Sequence, residues 1–119
     1  MDNFDALAEF EKEFKRLSKK YKTLDDDLKK FKKVLLAAPT GVGKNFVIIH
    51  SSSTLKIVKA RMACRALRDR SLRIVYSYFE QERQIEFIEL YFKGEKGNEN
   101  RERIKEYLGN QSSNRHRSG

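Results

Sequence analysis

The sequence predicts one α+β domain: an N-terminal helical hairpin packed on a curved, four-stranded, mainly antiparallel sheet, followed by a short C-terminal helix. Near the N-terminus, apolar residues recur every three or four positions, which is the period of an amphipathic helix. Farther on, β-branched and aromatic residues concentrate in short runs that favour strands. At 119 residues, the chain has room for one core, so a single domain is expected.

Two amphipathic stripes predict the hairpin. The first consists of Phe4, Leu7, Phe10, Phe14, Leu17 and Tyr21. Its first few residues fit a short edge strand as an alternative to helix. Thr23 stands three residues before Asp26, as in a capping box. The second stripe then consists of Leu24, Leu28, Phe31 and Leu35. Because the link between the stripes is tight, the two helices should be antiparallel.

Four runs predict the sheet. They are Asn45–His50, Lys56–Cys64, Leu72–Tyr78 and Ile85–Phe92. Consecutive strands this close in sequence should pair antiparallel. Asn98 is the expected cap of a final helix that reaches Leu108, and Gly109 is a usual helix stop. The polar tail, residues 110–119, is expected to be disordered, which sets the domain at residues 1–109.

The composition indicates an anionic partner. Lys and Arg number 26 against 17 Asp and Glu, a formal net charge of +9. Nucleic acid, anionic lipid and an acidic protein all fit this charge. Cys64 is the only cysteine, so no intramolecular disulfide can form, and with His50 and His116 alone a structural zinc site is poorly supplied. We expect a cytoplasmic protein with no metal, no cofactor and no membrane span.

The segment Ala38–Lys44 resembles the phosphate-binding loop of helicase-type NTPases. Asn45 stands where a Ser or Thr hydroxyl would hold magnesium. Phe46–Ile49 consists of strand-forming residues, whereas the NTPase loop is followed directly by a helix. The chain is also too short for the doubly wound sheet that such a site requires. We therefore interpret the segment as a glycine-rich connection between a helix and a strand.

A dense basic cluster lies in the middle of the chain. It comprises Lys56, Lys59, Arg61, Arg65, Arg68, Arg70 and Arg73, opposed by Asp69 alone. The side-chain period of two puts Lys59 and Arg61 on one strand face, extended by Arg65, with Arg73 beside them on the next strand. Such a row is suited to phosphate, although solvated sheet faces also carry charge. Tyr76 and neighbouring aromatics either stack on unpaired bases or belong to the core.

Several segments resemble the RelE/ParE-like toxins of bacterial type II toxin–antitoxin systems. Residues 10–21 are similar to the family's first helix, and Ile57–Arg61 followed by Leu72–Tyr76 to its central strands. Ile88–Lys93 is similar to the fourth strand, and Asn98–Leu108 to the short final helix. The resemblance extends over about residues 4–108.

The resemblance to RelE implies ribosome-dependent cleavage of messenger RNA, in which a ribose 2′-hydroxyl attacks the adjacent phosphate and cations stabilise the developing charge. It implies a catalytic set of Lys59, Arg73 and Lys93. It implies RNA or phosphate binding by Lys56, Arg61, Arg65 and Tyr76. Tyr107 does not match the tyrosine that this group often places near its C-terminus, because it lies well inside the final helix.

Two alternatives stay open at this point. A ParE-like protein would share the fold but inhibit DNA gyrase without nuclease activity. A non-catalytic nucleic-acid-binding module would use the same cations for binding alone. Under either toxin interpretation, the expected partner is an antitoxin, whose acidic or amphipathic segment wraps the toxin and covers its basic face.

Overall fold

A computed structural model describes residues 3–68 and 70–118, with side chains as far as residue 111. The helices of this part are α1 (Ala8–Lys20), α2 (Leu24–Ala37) and α3 (Arg101–Ser118). The strands are β1 (Phe4–Ala6), β2 (Phe46–Ser51), β3 (Leu55–Ala63), β4 (Ser71–Phe79) and β5 (Gln84–Phe92). A 3₁₀ turn, Arg65–Leu67, connects β3 to β4. The predicted α+β architecture is confirmed.

The sheet has five strands in the order β1-β5-β4-β3-β2, one more than predicted. The four predicted strands pair antiparallel with their neighbours, each within two residues of its predicted bounds. The additional strand is β1, which pairs parallel with β5, Phe4 lying opposite Ile85. The ring of Phe4 stacks on that of Phe87 at 5.7 Å. Phe4 therefore belongs to a strand rather than to the first helical stripe, and helix begins only at Ala8.

One face of the sheet, the hairpin face, is covered by α1 and α2. Its buried residues from the helices include Phe10, Leu17, Leu24, Phe31 and Leu35, and those from the strands Val58, Met62, Ile74, Tyr76 and Phe87. The alternation along β3 and β4 delivers every second side chain to this face. Each large apolar side chain buried here contributes roughly 1.5–3 kcal/mol relative to exposure.

The opposite face, the α3 face, is covered over part of its area by the C-terminal helix. Ile104 and Tyr107 of α3 pack with Ile57, Val75 and Ile88. The Tyr107 hydroxyl donates to Glu86 Oε1 at 2.6 Å and lies 2.7 Å from Ser77 Oγ. Tyr107 is buried and packs α3 on the sheet, and this burial is the main cause that raises the pKa of its hydroxyl.

The outer edge of β5 continues beyond the short strand β1, and two side chains occupy it. Glu13 of α1 accepts the Leu90 N–H at 3.1 Å, and Arg103 of α3 donates to the Ile88 carbonyl at 2.9 Å. Arg103 also binds Glu13 through two parallel hydrogen bonds of 3.0 and 2.9 Å. This edge clamp satisfies backbone groups that a longer β1 would have paired, and it fastens α3 to α1.

The final helix differs from its prediction at both ends. Asn100, not Asn98, is the cap, since its Oδ1 accepts the Arg103 N–H at 3.0 Å. The helical backbone runs to Ser118, past the stop expected at Gly109 and through the segment expected to be disordered. The domain boundary at residue 109 stays a prediction. In the part of the chain that is described, no helix has the length and apolarity needed to cross a membrane.

Thr23 and Asp27 join α2 to the turn between β3 and β4. Thr23 makes no capping hydrogen bond to its own helix. Its hydroxyl donates to Asp27 Oδ2 at 2.7 Å and accepts the Ala66 N–H at 3.0 Å, while Asp27 accepts the Arg65 N–H at 3.2 Å. The predicted capping box is thus replaced by a tertiary anchor that fixes the loop leading into β4.

Candidate phosphate-binding site

A basic pocket opens on the α3 face where α3 leaves the sheet uncovered. Its volume is about 410 Å³, and it lies at the ends of β3, β4 and β5. Its lining consists of Arg61, Arg70, Ser71, Arg73, Phe92, Lys93 and Gly94. Four cations thus surround the cavity, and among the residues that the structure describes the lining contains no acidic side chain.

Strand register brings these cations together. Arg61 of β3 lies directly opposite Arg73 of β4, and Lys93 follows the last residue of β5. Arg73 donates to Ser71 Oγ at 3.1 Å, and the Arg70 guanidinium lies 5.2 Å from the centre of the Phe92 ring. Like charges directly opposite on a sheet repel each other, so a bound anion would relieve a cost already present in the free protein.

Lys59 lies on the same face, two residues before Arg61 on β3, but outside the pocket lining. Its ammonium group donates to Glu99 Oε1 at 2.9 Å. Burial alone would raise the pKa of the Glu99 carboxyl, but the hydrogen bond from Lys59, a backbone hydrogen bond and the charges of Lys59 and Arg101 together hold that pKa below its ordinary value. The lysine is therefore held by an ionised carboxylate.

Tyr91 lies opposite Arg73 on β5 and is nearly fully buried. Burial, and then the carboxylates of Glu99 and Glu89, raise its pKa to about 12 against the opposing charge of Arg73. Its hydroxyl is therefore neutral at physiological pH. The fully buried Glu89 accepts the Asn100 N–H at 2.8 Å and also binds the Lys96 ammonium. This network fixes the loop that carries Glu99.

Comparison with solved structures bears on the fold. No protein-family model matches the sequence, and no curated protein matches it. Among solved structures, the chain is similar to one in the crystal structure of the archaeal RelE–RelB complex from Pyrococcus horikoshii OT3. The TM-score is 0.58 at 20% identity, and the alignment covers 76% of this chain and 93% of that one. The chain has a RelE-like fold.

On this RelE-like fold, three of the predicted site residues come together. Arg61, Arg73 and Lys93 line the pocket, and Lys59 is their neighbour on the same sheet face. Arg70 and Ser71 also line the pocket, and Glu99 binds the neighbouring Lys59, but these three were not among the predicted site residues. Ser71 could have been found from its period-two relation to Arg73. Glu99 could not, because no local pattern links it to Lys59.

Tyr76 cannot take part in RNA binding in this structure, contrary to the sequence prediction. Its side chain is fully buried on the hairpin face between Phe31 and Phe87, and its hydroxyl donates to the Pro39 carbonyl at 2.8 Å. Burial raises its pKa. The aromatic ring is part of the core because Tyr76 lies three residues after Arg73 on β4, which puts the two side chains on opposite faces of the sheet.

Lys56 and Arg65 also lie away from the pocket, which corrects their predicted place in the basic surface. Lys56 lies three residues before Lys59 on β3, so its side chain is on the opposite, hairpin side of the sheet. There it binds Glu80 at 2.9 Å. β3 ends at Ala63, so Arg65 falls in the 3₁₀ turn and pairs with Asp26 and Asp27 of α2 at 3.5 and 3.4 Å. Strand periodicity could not be extended to a residue beyond the strand.

The glycine-rich segment is a helix-to-strand connection, as the sequence indicates. Gly41 and Gly43 both have positive φ angles, of 74° and 86°, and the chain enters β2 at Phe46. A side chain at Gly41 would collide with the Phe46 ring, which stacks on Phe31. The glycines therefore serve a tight turn against the core.

Proposed function

We propose that this protein is the toxin of a toxin–antitoxin pair and that it cleaves messenger RNA on the ribosome. The observation that carries the proposal is the pocket of four cations, exposed on a RelE-like fold, with Arg61 and Arg73 side by side. A surface that concentrates positive charge on rigid strands is preorganised for phosphate.

In the proposed reaction, the ribose 2′-hydroxyl loses its proton to water and its oxygen attacks the adjacent phosphorus. The bond from phosphorus to the 5′-oxygen breaks, and that oxygen takes a proton from water. Arg73, with Arg61, would hold the non-bridging phosphate oxygens, because a guanidinium presents paired donors to them. Lys93 would add a mobile charge at the opposite rim. Lys59 would supply a further cation when it is released from Glu99. Their common role is to stabilise charge that develops on the phosphoryl group.

The proposed protein partner is an antitoxin with an acidic segment. The net charge of +9 and the open basic pocket support such a partner, since an acidic chain would neutralise the surface that RNA needs. The structurally similar archaeal RelE was solved in complex with RelB. Binding of RNA and of the antitoxin would then be mutually exclusive at this face.

The test is induction of the protein alone in a bacterial host, with growth, translation rate and the 5′ ends of messenger RNA measured together. We expect growth arrest with new cuts inside translated codons. Arg73→Ala should reduce cleavage by about 100-fold or more, the loss typical of removing a group that stabilises transition-state charge. Lys105→Ala, which removes an exposed charge of α3 away from the pocket, is the matched control and should remain toxic.

Circular dichroism of Arg73→Ala must show an intact fold for the comparison to count. Full toxicity of that variant would remove the pocket from the proposed site. Growth arrest with intact RNA and accumulating DNA breaks would support gyrase inhibition instead. Normal growth together with salt-dependent RNA binding would support a non-catalytic binding module.

A further inference from the structure

The ion pair between Lys59 and Glu99 stands at the border of the basic pocket. Lys59 shares the sheet face of Arg61 and Arg73, yet its ammonium points to a carboxylate 2.9 Å away and not into the pocket. The Glu99 side chain is 9% exposed and that of Lys59 is 27% exposed. The charge that sequence periodicity assigns to the basic surface is thus neutralised by a residue from the loop before α3.

This pair differs from the ordinary surface pairs of the molecule. Lys29 and Asp25, for comparison, are 69% and 68% exposed, and such pairs contribute little because water screens both charges. A carboxylate as buried as that of Glu99 has lost most of its hydration and requires a partner. The next residue, Asn100, is fixed through its N–H to the buried Glu89. Glu99 is therefore held in position by its loop.

We propose that Glu99 masks Lys59 in the free protein, so that the pocket first binds RNA phosphate through Arg61, Arg70, Arg73 and Lys93 alone. Lys59 contacts phosphate only when the ion pair opens. The proposal rests on the proposed function in taking RNA as the ligand, and it names the residue that regulates the same site. A phosphate near Arg61 must compete with the fixed Glu99 carboxylate for Lys59. The mask therefore lowers the affinity for RNA that is held only through its phosphates.

The number of phosphate contacts can be measured without catalysis. Single-stranded RNA carrying 2′-O-methyl groups lacks the attacking hydroxyl and stays intact, and its binding is followed by fluorescence anisotropy at several salt concentrations. The variants are the wild type, Glu99→Gln, the double variant Glu99→Gln with Lys59→Met, and Glu102→Gln. Glu102 is exposed in the first turn of α3, so its variant makes the same change in net charge away from Lys59.

Glu99→Gln should bind RNA more tightly and with a steeper salt dependence. One added contact steepens the slope of log K against log salt by about 0.7, which is roughly a 5-fold gain in affinity near 0.1 M salt. The double variant should return to the wild-type value, because it replaces a neutral ion pair by two neutral side chains. Glu102→Gln should steepen the salt dependence by less than half as much as Glu99→Gln does.

Each remaining outcome has a definite meaning. A Glu99→Gln variant that binds no better than Glu102→Gln, or that binds more weakly than wild type, would overturn the mask while leaving the proposed function in place. Absence of RNA binding by the wild type and by every variant would also overturn the mask, whereas the proposed function is decided separately by the cuts in messenger RNA on induction. Thermal unfolding checks that each variant is folded. Glu99→Ser also removes the carboxylate that binds Lys59, so it should have the same effect on RNA binding as Glu99→Gln.

Discussion

The two faces of the sheet are built from alternate residues of the same strands, but they have different uses. On the hairpin face, Ile74 and Tyr76 are completely buried under α1 and α2. On the α3 face, Arg73, which directly precedes Ile74 in the sequence, lines an open pocket. Desolvating several clustered cations would cost far more than packing could return, so α3 leaves the cationic end of that face open.

The comparison separates stability from function within a single strand. The apolar side chains of β4 fix its place in the core, and the intervening side chains are thereby held rigidly in register with β3 and β5. Arg61 and Arg73 need no hydrogen bond to each other to lie side by side, since the backbone ladder imposes their spacing. A stable hairpin face thus supplies the preorganisation that the exposed pocket requires.

The largest expected effect is a difference in the free energy of unfolding between variants of two adjacent β4 residues, Ile74 and Arg73. Ile74→Ala should lower the free energy of unfolding by about 2–5 kcal/mol, because it leaves a cavity in the packed core. Arg73→Ala should change it by no more than about 0.5 kcal/mol, because that side chain lines an open pocket. Urea unfolding of both variants measures the difference. Equal destabilisation would mean that the basic side chains are part of the structural core.

A smaller effect should come from the clamp that holds α3. Arg103→Met removes both hydrogen bonds to Glu13 and the bond to the Ile88 carbonyl. Because the pair is partly solvated, we expect the free energy of unfolding to fall by roughly 2 kcal/mol, which is less than the loss on breaking a fully buried ion pair. Hydrogen exchange should accelerate at Ile104 and Tyr107 before it accelerates at Ile74.

Lys105→Met is the control for that variant, since it removes an exposed charge from the same helix. It should leave urea unfolding and hydrogen exchange unchanged. Uniform acceleration of exchange over both faces in Arg103→Met would contradict the idea that α3 opens independently of the hairpin face.

The smallest effect is expected from the C-terminus. Deletion of residues 110–119 should change the free energy of unfolding by less than about 0.5 kcal/mol, because this segment contains no apolar anchor. Thermal and urea unfolding of the shortened chain measure it. A large loss would show that the helical extension beyond Gly109 contributes to the α3 face.

The sequence by itself determined the elements whose signals are local. Apolar periodicity predicted the helical hairpin, and the runs of β-branched and aromatic residues predicted β2 to β5, because both depend on residues a few positions apart. The period of two also predicted that Lys59, Arg61 and Arg73 share a face. Arg61 and Arg73 accordingly line one pocket, together with Lys93, whereas Lys59 is held outside its lining by Glu99.

Only the tertiary structure decided the rest. The pairing of β1 with β5 joins strands that are far apart in the sequence, Glu99 reaches Lys59 across 40 positions, and Arg103 reaches Glu13 across 90. The end of β3 at Ala63 turned Arg65 toward the acidic start of α2. Such contacts arise from how elements pack, and periodicity within one element carries no information about a partner on another.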